Sequence, residues 1–589
     1  MRAPSMKLNR LSAAVMLCSG LLLGLLPGVS SAAGVAPPPR LDPGRMEIPG
    51  ADGQRGLPSD MTGLPSRPGA TEVQIPETEP STTPQPAASS TRFFVSKVNL
   101  EGVTVYPPTV FAELQKYLEG RQVSLAEVND VVARINRRYR KDGYLLVRAF
   151  VPAQKVQNGQ LTIKVIEGKV NDVRFNEKPN RAQQAYADNI RKEVPIKAKT
   201  LERNMLLMND LSGYDAKGVL SPSQGLEGTD LSVTNELRKV EGFVGFDNRD
   251  SRFFGPWQVY GGVGVNDPFG LGDNLSLRLG RSVESDKMSF VEGQYDVPVG
   301  NDGAILSLLG QHNEGNADTI VPLNANSSGD TLAARVTYPW IRSRSETLKT
   351  SIGFTWFNGK AEYLDDPDQP PSSDDRIRAV RLGASYDFAD KYGGRNLFKA
   401  ELSKGLDIMG ASAEDRSNPS RYGGETDFTK LQFDAQRIQD MSAIVENMNL
   451  YLAITGQTAF GNALLSPEQF GVGGSQFGRG YDPSEITGDN GLAGKVELQY
   501  NHLHNFMDQE MPTQYYGYWD IGKVWNNEPR DIDSESLASA GLGIHFNVMK
   551  DMYISPEIAF PLTRTVSAEE LDGDNGKEPR LYINFLKLF

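Results

Sequence analysis

Cysteine is almost missing from this chain of 589 residues, Cys18 being the single one. It lies inside an apolar N-terminal stretch, so a chain that has lost that stretch carries no thiol, and disulfides and thiol catalysis drop out. Histidine is nearly as scarce, with four residues. His502 and His504 stand two apart and share a strand face, but only His312 and His545 remain, and no metal-ligand cluster is visible. Basic charge is the next shortage. Lys and Arg total 61 against 74 Asp and Glu, a net charge of -13, and nucleic-acid binding as the main task needs the opposite balance. Beyond the N-terminus there is no run of roughly 18 apolar residues, which excludes membrane-spanning helices. Mean hydropathy is -0.41. A membrane β-barrel is not excluded, because its apolar residues occupy alternate positions. No Ser/His/Asp set and no paired catalytic carboxylates stand out. Gly261-Gly262-Val263-Gly264 sits in a strand pattern, without the strand-to-helix turn that phosphate binding needs. Neither an enzyme nor a cofactor is expected.

What is present begins with an export signal. Arg2, Lys7 and Arg10 precede the apolar stretch Leu11 to Leu26, and Ser31-Ala32-Ala33 offers small residues for cleavage, so 1–33 reads as a signal peptide. Residues 34–91 are rich in Pro, Gly, Ser and Thr and read as a flexible linker, since too little apolar surface is available to fold.

From residue 93 an order β-α-α-β-β occupies 93–168. Phe93 to Val98 reads as a strand, and Pro107-Pro108 suits a helix start with Val110, Leu114 and Leu118 on one face. Ser124 and Glu127 form a capping box ahead of a stripe of Leu125, Val128, Val132, Ile135 and Tyr139. Strands Tyr144 to Val151 and Leu161 to Ile166 join through Asn158-Gly159, a hairpin signal. The order recurs over 169–240. Val170 to Phe175 is a strand, Ala182 to Val194 and Leu201 to Leu211 are helical, and strands follow near Tyr214 to Leu220 and Leu231 to Leu237. Such a repeat means two copies of one small domain.

From 241 to 589 strict alternation takes over. Leu275, Leu277 and Leu279 interleave with Ser276, Arg278 and Gly280, and Val496, Leu498 and Tyr500 with Lys495, Glu497 and Gln499. About sixteen such segments occur, about 22 residues each with their connections, a spacing that suits a transmembrane barrel. Short connections (Pro268 to Gly272, Val299 to Gly303) alternate with long ones at 314–328, 358–375, 409–426, 460–491 and 562–578. Short turns on one side and long loops on the other are the outer-membrane pattern.

One long connection holds Phe477 to Gly491, FGRGYDPSEITGDNG, an arginine between two glycines with an aromatic behind it. With the residues before it, it resembles the lid-loop motif V-R-G-[FY] of the two-partner secretion transporters (TpsB), relatives of the outer-membrane assembly protein BamA. Gly478-Arg479-Gly480-Tyr481 keeps the Arg, Gly and aromatic and departs at the Val position. TLERNMLLMNDLSG (Thr200 to Gly213) resembles the family's second POTRA domain, GFDNRDSRFFGPWQ (Gly245 to Gln258) its first barrel hairpin, and YWDIGKVW (Tyr518 to Trp525) its D-x-G strand. The C-terminal Phe589 matches as well.

The resemblance covers 93–589 and implies a mainly β fold with α/β N-terminal domains: two periplasmic POTRA domains, 93–168 and 169–240, and a 16-stranded transmembrane β-barrel, 241–589, with a lid loop at 460–491. It implies that Arg479 pairs with Asp520 inside the lumen, where a guanidinium fork meets a carboxylate. The implied function is export of a large unfolded exoprotein, a TpsA-like adhesin or cytolysin, across the outer membrane. The implied partners besides that client are outer-membrane lipid and, during biogenesis, the barrel assembly machinery. A BamA-like insertase is the alternative, and two POTRA units rather than more favour the exporter. A plain porin has no use for 93–240. Open sheet edges in the POTRA units suit strand addition by an extended peptide. Many family members carry an N-terminal plug helix; 34–91 is too broken by Pro to show one, and a short helix near 59–64 stays open.

Overall fold

The computed structural model describes residues 92–589 and the two-residue strand Val73–Gln74, apart from 224–227, 285–286, 318–324, 363–372, 413–417, 507–508, 550, 564–565 and 567–577. The expected signal peptide, Cys18 and the stretch 59–64 lie outside the described residues.

In the first α/β domain the capping box forms as written. Ser124 Oγ accepts from Glu127 N at 3.3 Å and Glu127 accepts from Ser124 N at 2.7 Å, starting helix Leu125–Lys141. That helix buries Val128, Val131, Ile135 and Tyr139. Leu125, expected on the stripe, is exposed at the first position of the helix. Before it, the chain runs through a 3-10 turn, Pro108–Phe111, into helix Ala112–Leu118, burying Phe111 and leaving Val110 exposed.

The expected strand Phe93 to Val98 is broken at Ser96. Arg92–Val95 pairs with Arg121–Ser124, whereas Lys97–Glu101 pairs in parallel with Gln160–Ile166, which also pairs with Arg148–Phe150. The break follows from the Asn158-Gly159 turn, whose φ values are 53° and 70°. Ser96 N donates to Gly159 O at 2.7 Å, and a Cβ on Gly159 would sit 2.8 Å from that nitrogen, so only glycine fits.

Glu167 ties this domain's core together. Its carboxylate accepts from Thr104 N at 2.9 Å, Val105 N at 3.2 Å and Tyr139 OH at 2.6 Å, and also from the Thr104 hydroxyl. Burial pushes this carboxyl up, but the hydrogen bonds outweigh it and hold the pKa below the usual glutamate value. A depressed folded pKa stabilises above the unfolded carboxylate range and is lost as pH falls through the lowered value. Glu167→Gln, which replaces one acceptor oxygen with an NH2 donor that faces other donors, is expected to cost about 1 kcal/mol at this half-buried site. Amide exchange at Thr104 and Val105 in the whole protein measures it; unchanged protection at neutral pH would show that the carboxylate contributes nothing.

The second domain repeats the plan with an Asn180–Gln183 capping box, helices Arg181–Lys192 and Ala198–Asn209, and a core that includes Leu201, Met205 and Met208. Its sheet runs in the order Val73–Gln74, Tyr214–Pro222, Thr229–Leu237, Val170–Phe175. The reading of 34–91 as linker is thus amended at one point, where Val73 and Gln74 pair in parallel with Gly218 and Val219 on an edge that would otherwise offer unpaired backbone groups. The domain docks on the barrel's short turns. Arg342 forks onto Asp210 at 2.6 and 2.8 Å, and Arg203 Nη2 donates to Pro339 O at 2.7 Å.

The rest is a closed barrel of sixteen strands, each antiparallel to its neighbours, from Val240–Asp247 to Arg580–Leu588. Leu275, Leu277 and Leu279 are exposed on the lipid side, while Arg278 between them meets Glu292 at 2.8 Å inside. Several strands outrun the expected connections. Ala304–Ala317, Ala325–Arg342 and Glu346–Glu362 extend into 314–328 and 358–375. There the outward positions turn polar (His312, Glu314, Asp330, Lys360), so apolar alternation stops while the backbone ladder, which needs no apolar residue, continues.

Candidate functional site: the lid loop in the barrel lumen

Between strands Met448–Thr458 and Asn490–Phe506 the chain leaves the wall and folds inward. A small hairpin, Phe470–Val472 with Ile486–Gly488, packs Phe470, Val472, Tyr481 and Ile486 against the wall residues Ala493, Val524 and Leu537. A long connection thereby acquires a core of its own, which fixes its place in the lumen.

The two glycines around Arg479 have separate reasons. Gly478 has φ 79°, and a Cβ there would sit 2.6 Å from Leu537 Cδ1. Gly480 lies flat on the wall, where a Cβ would come within 3.0 Å of Pro561 N and 3.1 Å of Ser539 Cβ. Arg479 is thus carried to the wall itself. Its Nε donates to Asp520 Oδ2 at 3.0 Å, Nη2 to Asp520 Oδ1 at 3.1 Å, and its backbone N to Oδ2 at 3.2 Å. Nη1 donates to Glu497 Oε2 at 2.8 Å, and the guanidinium carbon lies 3.2 Å from the centroid of the Tyr518 ring. Asp520 is fully buried, and Arg479 and Glu497 are 6 % exposed each. A cation so desolvated needs its carboxylates. Tyr481 is buried behind it, its hydroxyl accepting from Thr563 N at 3.3 Å.

The structure therefore brings together Gly478, Arg479, Gly480, Tyr481 and Asp520, and adds Glu497 and Tyr518. Both additions lie on inward positions of strands already visible in the sequence: Glu497 in the Lys495, Glu497, Gln499 set and Tyr518 two before Asp520. The loop's entry is anchored elsewhere. Arg381 Nη2 donates to Glu468 Oε1 at 2.6 Å and Lys430 Nζ lies 2.7 Å from Glu468 Oε2, joining the loop to the facing wall. At the loop's base Asp489 accepts from Arg421 at 2.6 and 2.8 Å and from Leu464 N and Asn527 N, gathering three connections. Nothing in the local sequence marks Glu468, Arg381, Lys430 or Arg421. Phe589 lies apart from this site. Its backbone closes the barrel, N to Gly242 O at 2.8 Å and O from Gly242 N at 3.3 Å, while its ring is exposed on the lipid side.

The loop leaves part of the lumen open. A cavity of about 610 Å³ is lined by Arg335, Lys349, Ser351, Lys399, Glu401 and Asp434 among others, and a charged wall of this kind holds water. His502 and His504 face each other at 4.5 Å between rings, and His504 Nε2 lies 2.9 Å from Tyr515 OH; among the described residues no group is placed to hold a metal ion.

Comparison with known proteins is consistent along the chain. Residues 227–546 match the family model described as haemolysin secretion/activation protein ShlB/FhaC/HecB, and 93–168 match the POTRA domain, ShlB-type. The heme/hemopexin transporter protein HuxB of Haemophilus influenzae (strain 86-028NP) is 22% identical over 498 residues, covering 81% of this chain and 84% of its own. The outer membrane transporter CdiB of Dickeya dadantii (strain 3937) is 22% identical, covering 72% and 74%. The hemolysin transporter protein HpmB of Proteus mirabilis is 21% identical, covering 70% and 72%. Among solved structures, CdiB from Escherichia coli superposes with a TM-score of 0.70 at 19% identity over 86% of this chain and 93% of that one, a likeness of fold.

Proposed function

The chain belongs to the haemolysin secretion/activation family ShlB/FhaC/HecB, and we propose from that premise a route by which it exports its client. It is an outer-membrane transporter of two-partner secretion, with its N-terminal α/β domains in the periplasm; family members export secreted proteins in two-partner systems. The insertase alternative is set aside on that membership.

The client, a large exoprotein of the adhesin or cytolysin kind, arrives unfolded and adds as an extended strand to an open sheet edge in the periplasmic domains, 93–168 and 169–240. The pairing of Val73–Gln74 with the edge strand Tyr214–Pro222 supports this, because a two-residue segment of the chain itself lies along that edge as an added strand. From there the client threads the barrel beside the lid loop of 460–491, with Arg479 on Asp520 holding the loop to the wall. The observation that carries the reading is this buried ion pair inside a lumen that still holds a charged cavity. Outer-membrane lipid surrounds the apolar belt, and the barrel assembly machinery inserts it.

The test is the proteome of the growth medium from a strain lacking the gene. One large secreted protein should vanish from the medium and return on complementation. An unchanged medium together with a general loss of outer-membrane proteins would instead mark an insertase.

Purified protein in a planar bilayer should pass current in noisy, fluctuating steps, since the lumen is polar and a loop lies within it. A silent bilayer containing correctly folded protein would refute an open path and point to a plug from the N-terminal segment.

A further inference from the structure

The barrel closes between Val240–Asp247 and Arg580–Leu588, and this is the shortest ladder in its wall. Five residue pairs, from Phe243 with Leu588 to Asp247 with Asn584, are in register, and the mutual bonds of Gly242 with Phe589 add one more, whereas the other junctions hold eight or more. Backbone pairing stabilises a barrel roughly in proportion to its length, so this seam is where the wall yields first.

Side chains from the segment just after the first strand reinforce it from inside. Arg249 reaches over the last strand to Glu557 Oε2 at 2.8 Å on Met552–Pro561, with its guanidinium 4.6 Å from the Tyr582 ring centroid. Arg252 donates from Nη1 to Asp482 Oδ2 at 2.9 Å and from Nη2 to Glu485 Oε1 at 3.0 Å. The other oxygen of Asp482 accepts from Arg580, which belongs to the last strand. One buried carboxylate of the lid loop thus stands between an arginine from each side of the seam.

Asp482 is three residues from Arg479. We infer that Asp482 and Glu485 are positioning residues that clamp the barrel seam, so that docking of the lid loop and closure of the wall are a single event. If the loop leaves Asp520, the carboxylates leave with it. Arg252 and Arg580, until then held against one acid, then face each other as like charges across the shortest ladder. This deepens the reading of the loop as an export element, and it concerns the wall rather than the client.

Hydrogen–deuterium exchange on the full chain in lipid nanodiscs tests it without reference to export. In Asp482→Asn/Glu485→Gln, amides of 243–247 and 584–588 should exchange about tenfold faster or more, with those of the junction between Asn274–Ser282 and Met288–Val299 unchanged. Arg479→Ala should give the same seam-specific pattern. Arg252→Gln removes the clamp from the wall side and serves if the loop variant fails to assemble. Seam protection that stays intact in the clamp variants, loosening spread equally over the control junction, or a protected seam in Arg479→Ala would each overturn the inference. Lost export with a protected seam would remove this inference and leave the transport reading standing.

Discussion

Arg479→Ala is expected to abolish most export while leaving a folded, heat-modifiable barrel in the membrane. The substitution leaves Asp520, fully buried, beside Glu497 with no cation between them. Breaking a buried pair by removing one partner costs about 3–5 kcal/mol, enough to free the loop from the wall. The barrel itself is held by sixteen ladders, fifteen of them eight pairs or longer, and should persist as a folded barrel even with its seam loosened. Arg479→Lys should rescue poorly, because an ammonium cannot fork onto Asp520 and also reach Glu497. Asp520→Ala should be milder than the arginine change, since Glu497 still meets Nη1 at 2.8 Å. The double variant Arg479→Ala/Asp520→Ala should be no worse than Arg479→Ala alone, as both remove one contact. Client in the medium, measured beside barrel in the membrane, decides the matter. Losses that add in free-energy terms would mean that the two residues act independently.

Deleting residues 93–168 is expected to stop export equally completely, with the barrel still inserted. This segment has its own core, built on Val95, Phe111, Val128, Ile135, Tyr139 and Ile163 among others. The anchoring contacts to the barrel turns come from the second domain, through Arg203 and Asp210. Its removal therefore takes away the proposed docking site for the client and leaves the mount in place. Normal client levels in the medium of the deletion strain would refute a role for the first domain.

Local features were legible residue by residue. Ser124 with Glu127 announces a helix start because the capping hydrogen bonds link positions three apart. Leu275, Leu277 and Leu279 announce a strand because a pleat turns every second residue outward. Asn158-Gly159 announces a tight turn because both residues accept positive φ. Signals of this kind fail where their chemistry stops before the element does. The strands beyond His312, Asp330 and Lys360 leave the apolar belt but keep their ladder. The strand through Ser96 is split by a contact with Gly159 that no neighbour of Ser96 encodes.

The lumen was legible only in part. Motif residues Arg479 and Asp520 stand out through a family resemblance, and the structure places them together. Their companions Glu497 and Tyr518 look, in sequence, like any other inward polar or aromatic position. Glu468 with Arg381 and Lys430, Asp489 with Arg421, and Asp482 with Arg252 and Arg580 leave no local trace.

By itself, then, the sequence determined which faces of the strands are apolar, where the helices of the N-terminal domains begin, and that a loop with an arginine between two glycines stands among long connections. Each of these depends on residues a few positions apart, through hydrogen-bond reach or strand period. The tertiary structure alone decided which charges meet. Arg252 and Asp482 are 230 positions apart in the chain, and they meet only because sixteen strands close in one register and turn all their inward faces onto a single lumen. Any of several arginines is chemically fit to pair with any of several acids there; closure of the barrel and the path of the lid loop select the partners.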